Sequence, residues 1–370
     1  MAMIRIPMVD FSSEIQPIRD RLEQVMREVL VSGKYISGPN VSALEEETAA
    51  FLGVRRAVSL NSGSDALVIG LRALGIGAGD EVITSPFSFV ATAEAIRRVG
   101  AEPVFADILP DTFNLDPLAV RKKITSRTKG LIPVHLFGGP ADMDVLMDIA
   151  GQNGASVLED AAQAFGAKYE GRKVGAIGDA GAFSFFPTKP LGAFGDGGLL
   201  VTNDDAVADI AIRLARHGAR VKGFSEEVGY NSRLDELQAA LLRVKLPDVG
   251  RANEARRRVA GWYFDHLGGL EHIVVVPRPE HPGHVYHQYT IRVRKGRREA
   301  VRAALTAAGI ASAIYYSHLI SDMPPYRRPD QVCREAELAS REVLSLPIHP
   351  SLSRDAVAEI CGVIKAVVGR

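Results

Sequence analysis

Residues Phe183 to Gly198 read FSFFPTKPLGAFGDGG, with Lys189 set between two prolines in a stretch whose only other charge is Asp196. The apolar residues before it, AGAFSFF, and those after it, GGLLVTN, each suit a short buried strand, and the span between them is too rich in proline and glycine for a helix. Working outward, β-branched runs alternate with amphipathic segments: AVSL (57 to 60), EVIT (81 to 84), PVFAD (103 to 107), GLIPVHL (130 to 136) and SVLEDA (156 to 161) are each followed by a helical pattern. That alternation predicts an α/β fold, a mostly parallel sheet with helices on both faces. From Leu234 a long helical pattern breaks at Pro247 and resumes through ANEARRRVAGWYFDHL. Beyond it, YHQYTIRV, GRREAVRAALTAAGI, ASAIYYS and two more helical patterns predict a smaller C-terminal α/β domain. We therefore expect a large domain over 1–250, N-terminal segment included, and a small one over 251–370.

Composition narrows the function classes. The 370 residues carry 44 Lys+Arg against 44 Asp+Glu, so no overall field draws the chain to nucleic acid or an anionic membrane. Any anion must be met by a local arrangement. Cys333 and Cys361 are the only cysteines, which excludes a disulfide framework, a four-cysteine zinc site and an iron–sulfur cluster held by this chain alone. The opening MAMIRIPMVDF lacks a signal-peptide core, and no stretch approaches the roughly 18 apolar residues of a membrane span. A cytoplasmic location is expected.

In open α/β sheets ligands gather beyond the carboxyl ends of the strands. Four such places carry candidate residues. At NSGSDAL (61 to 67) a strand runs into Gly63 and Ser64 at a helix start, which suits a phosphate or serves as a plain helix cap. In TSPFSFVAT, Phe87 and Phe89 follow EVIT, and an aromatic there stacks on a flat ring or packs in the core. In LEDAAQAFGA, Glu159 and Asp160 end an apolar strand, where a carboxylate needs a cation or hydrogen bonds. Finally Ser184 precedes Lys189, whose amine, once desolvated, loses its proton readily and becomes a nucleophile; the alternative is a stem that packs with its head in water. A phosphate, a flat ring, a ring nitrogen needing a carboxylate and an aldehyde needing an amine together describe pyridoxal 5′-phosphate.

EDAAQAFGA, SFFPTKPLGAFGDGG and GYNSRLDELQAALLRVKL resemble the signature blocks of the DegT/DnrJ/StrS nucleotide-sugar aminotransferases, within the type I fold of pyridoxal-phosphate enzymes. The likeness extends from GKYISGP and LNSGSDAL through PVHLFGGPADMD to VLSLPIHP. It implies that Lys189 forms the Schiff base and Asp160 pairs with the pyridine nitrogen. Gln163 would meet the ring hydroxyl, Phe89 would stack on the ring, and Ser184 with Gly63 and Ser64 would hold the phosphate. Asn231 and Arg233 would reach the site of a partner subunit in a homodimer, Asn231 at the phosphate and Arg233 at the sugar nucleotide. Two half-reactions follow, with pyridoxamine 5′-phosphate between them: L-glutamate gives up its amino group, and a nucleotide-linked keto sugar receives it at C3 or C4. A keto-cyclitol acceptor or a non-catalytic regulatory role are the other readings. The chain departs from the family pattern at Pro190, after the lysine, and at YYSHLISDMPPY (315 to 326), where Tyr315 and Tyr316 are the candidate substrate contacts. GIGAGD (75 to 80) lacks the third glycine of a dinucleotide fingerprint, and His281, His284 and His287 recur every third residue near a strand, where that spacing does not put all three on one face. No metal site is expected.

Overall fold

A computed structural model describes residues 4–369 apart from 271, 276, 278–282 and 328–329, so His281 lies outside the described residues. Its centre is a seven-stranded sheet of β1 (Arg56–Leu60), β2 (Glu81–Thr84), β3 (Glu102–Phe105), β4 (Thr128–Ile132), β5 (Ser156–Asp160), β6 (Ala180–Ser184) and β7 (Gly198–Thr202), in the order β1-β7-β6-β5-β4-β2-β3. Pairing is parallel from β3 through β6, and only β7 runs against its two neighbours. All the other strands therefore end on the same edge.

The strands read as continuous apolar runs because both faces are covered. Val82, Ile132, Leu158, Ala182 and Leu200 face a layer containing Val68, Leu71, Ile96 and Leu214. Their strand neighbours point the other way: Ile83, Leu131 and Val157 meet Leu146 and Ile149, while Phe183, Leu199 and Val201 meet Leu44 and Leu242. The period of two thus assigns each residue to a helix layer.

Beyond helix Glu236–Lys245, a 3₁₀ turn over Leu246–Asp248 accommodates Pro247 and leads into helix Val249–Leu267. A smaller antiparallel sheet follows, with β8 (Val274–Val275), β9 (Tyr289–Val293) and β10 (Val343–Leu346) in that order. Helices Val249–Leu267, Arg298–Ala307 and Arg354–Val368 supply the rest of its core, where Tyr263 stacks on Tyr289 at 4.5 Å. ASAIYYS, expected as regular structure, contributes a single bridge, Ala313 to Ser345; the β9 partner is VLSL instead, whose four residues are all buried. The N-terminal segment, expected with the large domain, also crosses to this unit: Ile6 pairs with Ile310 and packs in its core, and the Arg5 N–H donates to the Gly309 carbonyl at 2.8 Å.

Two of the glycine blocks have clear mechanical reasons. The buried carboxylate of Glu236 accepts from the Asn40 N–H (2.6 Å), the Asn40 side-chain amide (2.9 Å) and the Val41 N–H (3.1 Å), so it caps helix Pro39–Leu52 from another helix. A Cβ on Gly38 would stand 2.6 Å from that carboxyl carbon. At the end of β4, Phe137 (φ 58) and Gly138 (φ 93) turn left-handed, and the Gly138 carbonyl accepts the Val285 N–H at 3.0 Å. Glu236→Ala leaves those helix amides unmet, and we expect it to destabilise the fold by about 2–4 kcal/mol with little change in its secondary structure, as read by urea unfolding followed by circular dichroism.

Candidate active site

The edge where the parallel strands end begins with an anion cradle. Ser62 caps helix Gly63–Ala73: its Oγ accepts the Asp65 N–H at 3.1 Å and its carbonyl accepts the Ala66 N–H at 3.0 Å. The amides of Gly63 and Ser64 have no protein partner among the described residues, at the positive end of the helix. β6 ends at Ser184, so close that a Cβ on Gly63 would lie 2.7 Å from the Ser184 Cβ. The Ser184 Oγ accepts the Phe186 N–H at 3.2 Å, which leaves its own proton to donate. Because β7 is reversed, its first residue, Gly198, pairs with both Leu60 and Ser184, and a Cβ there would run into the Ser62 carbonyl. The glycine run after Lys189 is thus needed for two strands and a helix start to meet at one point.

Asp160 ends β5 beside this cradle. One carboxylate oxygen accepts from the Thr92 hydroxyl at 2.7 Å and the other from the Ala162 N–H at 3.2 Å. Burial pushes its pKa up, against the pull of those two bonds and of the Lys189 charge. The Lys189 amine is lowered to about 8 by burial, a shift that Asp160 opposes. Each group thus opposes the other's shift at a distance, without a direct ion pair, and a modest gain in pH or in local positive charge favours the neutral amine. Glu159, the neighbouring carboxylate, faces away. It accepts from Gly175, Ile177 and Gly178, each at 2.7 Å, and lies 2.8 Å from His135 Nε2. His135 Nδ1 accepts the Ala141 N–H, so Nε2 carries the proton that Glu159 receives. Glu159 is a structural group with its hydrogen bonds met.

Aromatic residues wall the far side. Phe87 is 0% exposed and Phe89 56%, so the first packs in the core and the second offers a ring face beside the site. Tyr316 lies 6.5 Å from Phe89 and accepts from the Gln163 Nε2 at 3.1 Å, while the Gln163 Oε1 accepts the left-handed Phe137 N–H at 2.7 Å. Tyr315 lines a cavity with Lys189, Arg256, His287, Gln288 and His349. Burial and the nearby Lys189 and Arg256 charges keep His287 neutral, well below the usual histidine value.

Asn231 and Arg233 behave differently. Arg233 donates to the Asn231 side chain and lines a separate cavity with Glu45, Ser59 and Arg216, in which Lys189 has no part. Its Nε is buried without a partner among the described residues. Between them, Ser232 accepts the Asn61 N–H at 3.2 Å and donates to Asp65 at 2.7 Å, which ties this segment to the back of the anion cradle. One chain therefore brings Gly63, Ser64, Phe89, Asp160, Gln163, Ser184 and Lys189 to one edge, and leaves Arg233 in a different cavity.

Thr92, Arg256 and His349 were not singled out in the sequence, and His287 was weighed only as a metal ligand. Thr92 sits inside TSPFSFVAT, just beyond its two aromatics, and Arg256 lies in the helical pattern ANEARRRVAGWYFDHL yet is only 7% exposed. His284 and His287 part ways: the first stacks on Tyr286 at 3.9 Å, the second enters the Lys189 cavity.

Free amides at a helix start, an exposed aromatic face, a buried carboxylate and a buried amine fit pyridoxal 5′-phosphate, and Gly63 is the point at which a side chain would fill the cradle. The fold and this site define a pyridoxal-phosphate-dependent aminotransferase. The chain belongs to the DegT/DnrJ/EryC1/StrS aminotransferase family, whose model matches residues 16–365. It is 45% identical to a UDP-N-acetyl-3-dehydro-alpha-D-glucosamine 3-aminotransferase of Acidithiobacillus ferrooxidans, over 97% of each chain. It is 44% identical to a pleiotropic regulatory protein of Geobacillus stearothermophilus, over 95% of each. Among solved structures, DesV of Streptomyces venezuelae, in complex with a ketimine intermediate, superposes with a TM-score of 0.95 at 40% identity over the whole of both chains. NtdA of Bacillus subtilis, with bound cofactor PMP, superposes at 0.91 and 29% identity, over 100% of this chain and 86% of that one.

A buried amine at about 8 has a definite pH signature. Its neutral fraction rises with pH through that value, so the rate at which the cofactor-free protein captures pyridoxal phosphate, trapped by borohydride and located by peptide mass, should climb through about 8 and level above it. Lys189→Ala should trap nothing, and a flat profile would mean that the amine is not desolvated.

Proposed function

We propose that this protein transfers an amino group from L-glutamate to C3 or C4 of a nucleotide-linked keto sugar, as a cytoplasmic homodimer whose active sites are shared between subunits. The observation that carries the reading is a buried Lys189 amine that interacts electrostatically with the buried Asp160, at the sheet edge where the amides of Gly63 and Ser64 are free among the described residues. The acceptor follows from the relative that acts on a UDP-linked 3-dehydro sugar and is similar over nearly the full length of both chains. Among the described residues no helix is long and apolar enough to cross a membrane, which accords with a biosynthetic role on soluble substrates.

When bound, the cofactor supplies an electron sink for the carbon that loses its proton. Every other task falls to the chain. Gly63, Ser64 and Ser184 hold the phosphate through amides and a hydroxyl. Phe89 would stack on the ring, and Gln163, whose Oε1 is fixed by the Phe137 N–H, would offer its amide to the ring hydroxyl. Asp160, oriented by Thr92 and the Ala162 amide, keeps a ring nitrogen protonated, since a buried carboxylate is most stable beside a cation. Lys189 anchors the cofactor. Once displaced, it takes the proton from the donor's α-carbon, and in the second half-reaction it returns a proton to the sugar carbon that bears the new amine. Tyr315 and Tyr316 line the approach for the substrate. Asn231 and Arg233 serve the partner's site, Asn231 at the phosphate and Arg233 at the sugar nucleotide. The chain divides into a cofactor-binding unit over 1–250 and a small unit over 251–370, with Ile6 strapped to the latter.

Initial rates with L-glutamate and UDP- or dTDP-linked 3-keto and 4-keto sugars test the reading. Parallel double-reciprocal lines and amino-sugar formation are expected, whereas turnover only with a keto-cyclitol would overturn the acceptor. Sharing of the site is tested by mixing two inactive variants, Lys189→Ala and Asn231→Asp. In a mixed dimer one site has both native residues if Asn231 acts across the interface, so activity should return to roughly a quarter of wild type on random mixing. No recovery would mean that Asn231 acts within its own chain.

A further inference from the structure

Arg256 is a cation with too little to hold. It lies on helix Val249–Leu267 and is 7% exposed. Among the described residues its partners are the Asn253 side-chain oxygen, 3.3 Å from Nη1, and Glu14, 3.8 Å from Nη2 and beyond hydrogen-bond range. A guanidinium has five N–H donors and keeps its charge under all physiological conditions, so with one hydrogen bond most of its donors remain open to the cavity it lines. Desolvation accordingly pulls its pKa down, with Glu14 opposing.

His349 faces the same cavity and is unmet too. It is 5% exposed, and its Nε2 is buried with no partner among the described residues. The other nitrogen is committed: Ser351 donates its hydroxyl proton to Asp10 at 3.1 Å, so His349 Nδ1, at 2.8 Å, is the donor to the Ser351 oxygen. Burial keeps the ring neutral by lowering its pKa, with Arg256 acting in the same direction and Asp10 against it. Nε2 is then a fixed acceptor. Arg256, His349, Glu14 and Lys189 all line one cavity.

A fixed set of donors for an anion and a fixed acceptor, side by side next to a nucleophilic amine, match the two ends of an α-amino acid. We propose that Arg256 and His349 form the seat of the amino donor, Arg256 taking its carboxylate and His349 Nε2 accepting a hydrogen bond from its ammonium. This rests on the aminotransferase reading above but not on the identity of the acceptor, nor on glutamate in particular, since every α-amino acid carries both groups. Glu14 stands as a weak competitor for Arg256, too distant to satisfy it and near enough to repel a second carboxylate.

The test follows the donor half-reaction of the holoenzyme alone, with L-glutamate, no acceptor, and the cofactor absorbance as readout. Arg256→Gln should raise half-saturation for glutamate roughly tenfold to a hundredfold, the weight of a lost charge-assisted hydrogen bond, with the fraction of Lys189 trapped by borohydride unchanged. His349→Ala should raise it by a smaller factor. Glu14→Gln should lower it severalfold, an opposite sign that a merely structural role for Arg256 does not produce. Unchanged half-saturation in Arg256→Gln, or an increase in Glu14→Gln, overturns the proposal; if Arg256→Gln does not fold, the sign in Glu14→Gln decides. Should no amino acid reduce the absorbance, the aminotransferase reading fails separately, and calorimetry with glutarate, tighter in Glu14→Gln if the seat is real, still decides the seat.

Discussion

A carboxylate and an amine buried together at the end of a parallel sheet form the constraint around which the site is arranged. Alone, each would be driven to its neutral form; together, each limits the other's shift, and neither is satisfied by the other alone. The groups around them read as a response to that condition. Thr92 and the Ala162 amide stabilise the carboxylate, whereas no hydrogen bond among the described residues stabilises the ammonium, so the balance tips toward a reactive amine. The asymmetry is chemical in purpose: a carboxylate must stay ionised to hold a ring proton, and an amine must lose its charge to attack.

The backbone serves the same end through a single reversed strand. With β7 running against its neighbours, the chain leaves β6, makes the turn that carries Lys189, and returns to the edge it left, entering at Gly198 beside the anion cradle. Had β7 been parallel, a crossover helix would separate Lys189 from Ser184 and the cradle. Glycines at 63 and 198 let this fold close, and Phe137 with Gly138 performs the equivalent service on the other side, where the β4 end locks onto Val285.

How much of this was readable follows from where each signal resides. The strands, their faces and the order of site residues are local in sequence, and Asp160, Lys189 and the Gly63 turn could be assigned from chemistry that needs only their immediate neighbours. Phe87 and Phe89 could be told apart only by the family resemblance, because both follow the strand end within two residues and their burial depends on what the rest of the fold packs against each. Glu159 and Asp160 are separated by the pleat, and deciding which one faces the amine needs the loop at 175–178 that claims the other. Arg256 and His349 were illegible for a stronger reason. Each is ordinary in its own segment, and their burial is created by Glu14, Asp10 and the N-terminal chain, which is more than two hundred residues away in sequence.

That N-terminal chain connects stability with specificity. The neutral overall charge of the protein means that its anionic ligands must be held by local, short-range groups. Three such groups have capacity to spare: the helix amides at Gly63 and Ser64, the Nε of Arg233, and the guanidinium of Arg256. A buried donor left unmet, as the Arg233 Nε is among the described residues, costs about 1–3 kcal/mol of stability. On the proposed function, the first and third each meet a ligand anion within the same chain's site. The Nε of Arg233, by contrast, is buried in a cavity that its own chain lines with the half-buried Glu45 and without Lys189.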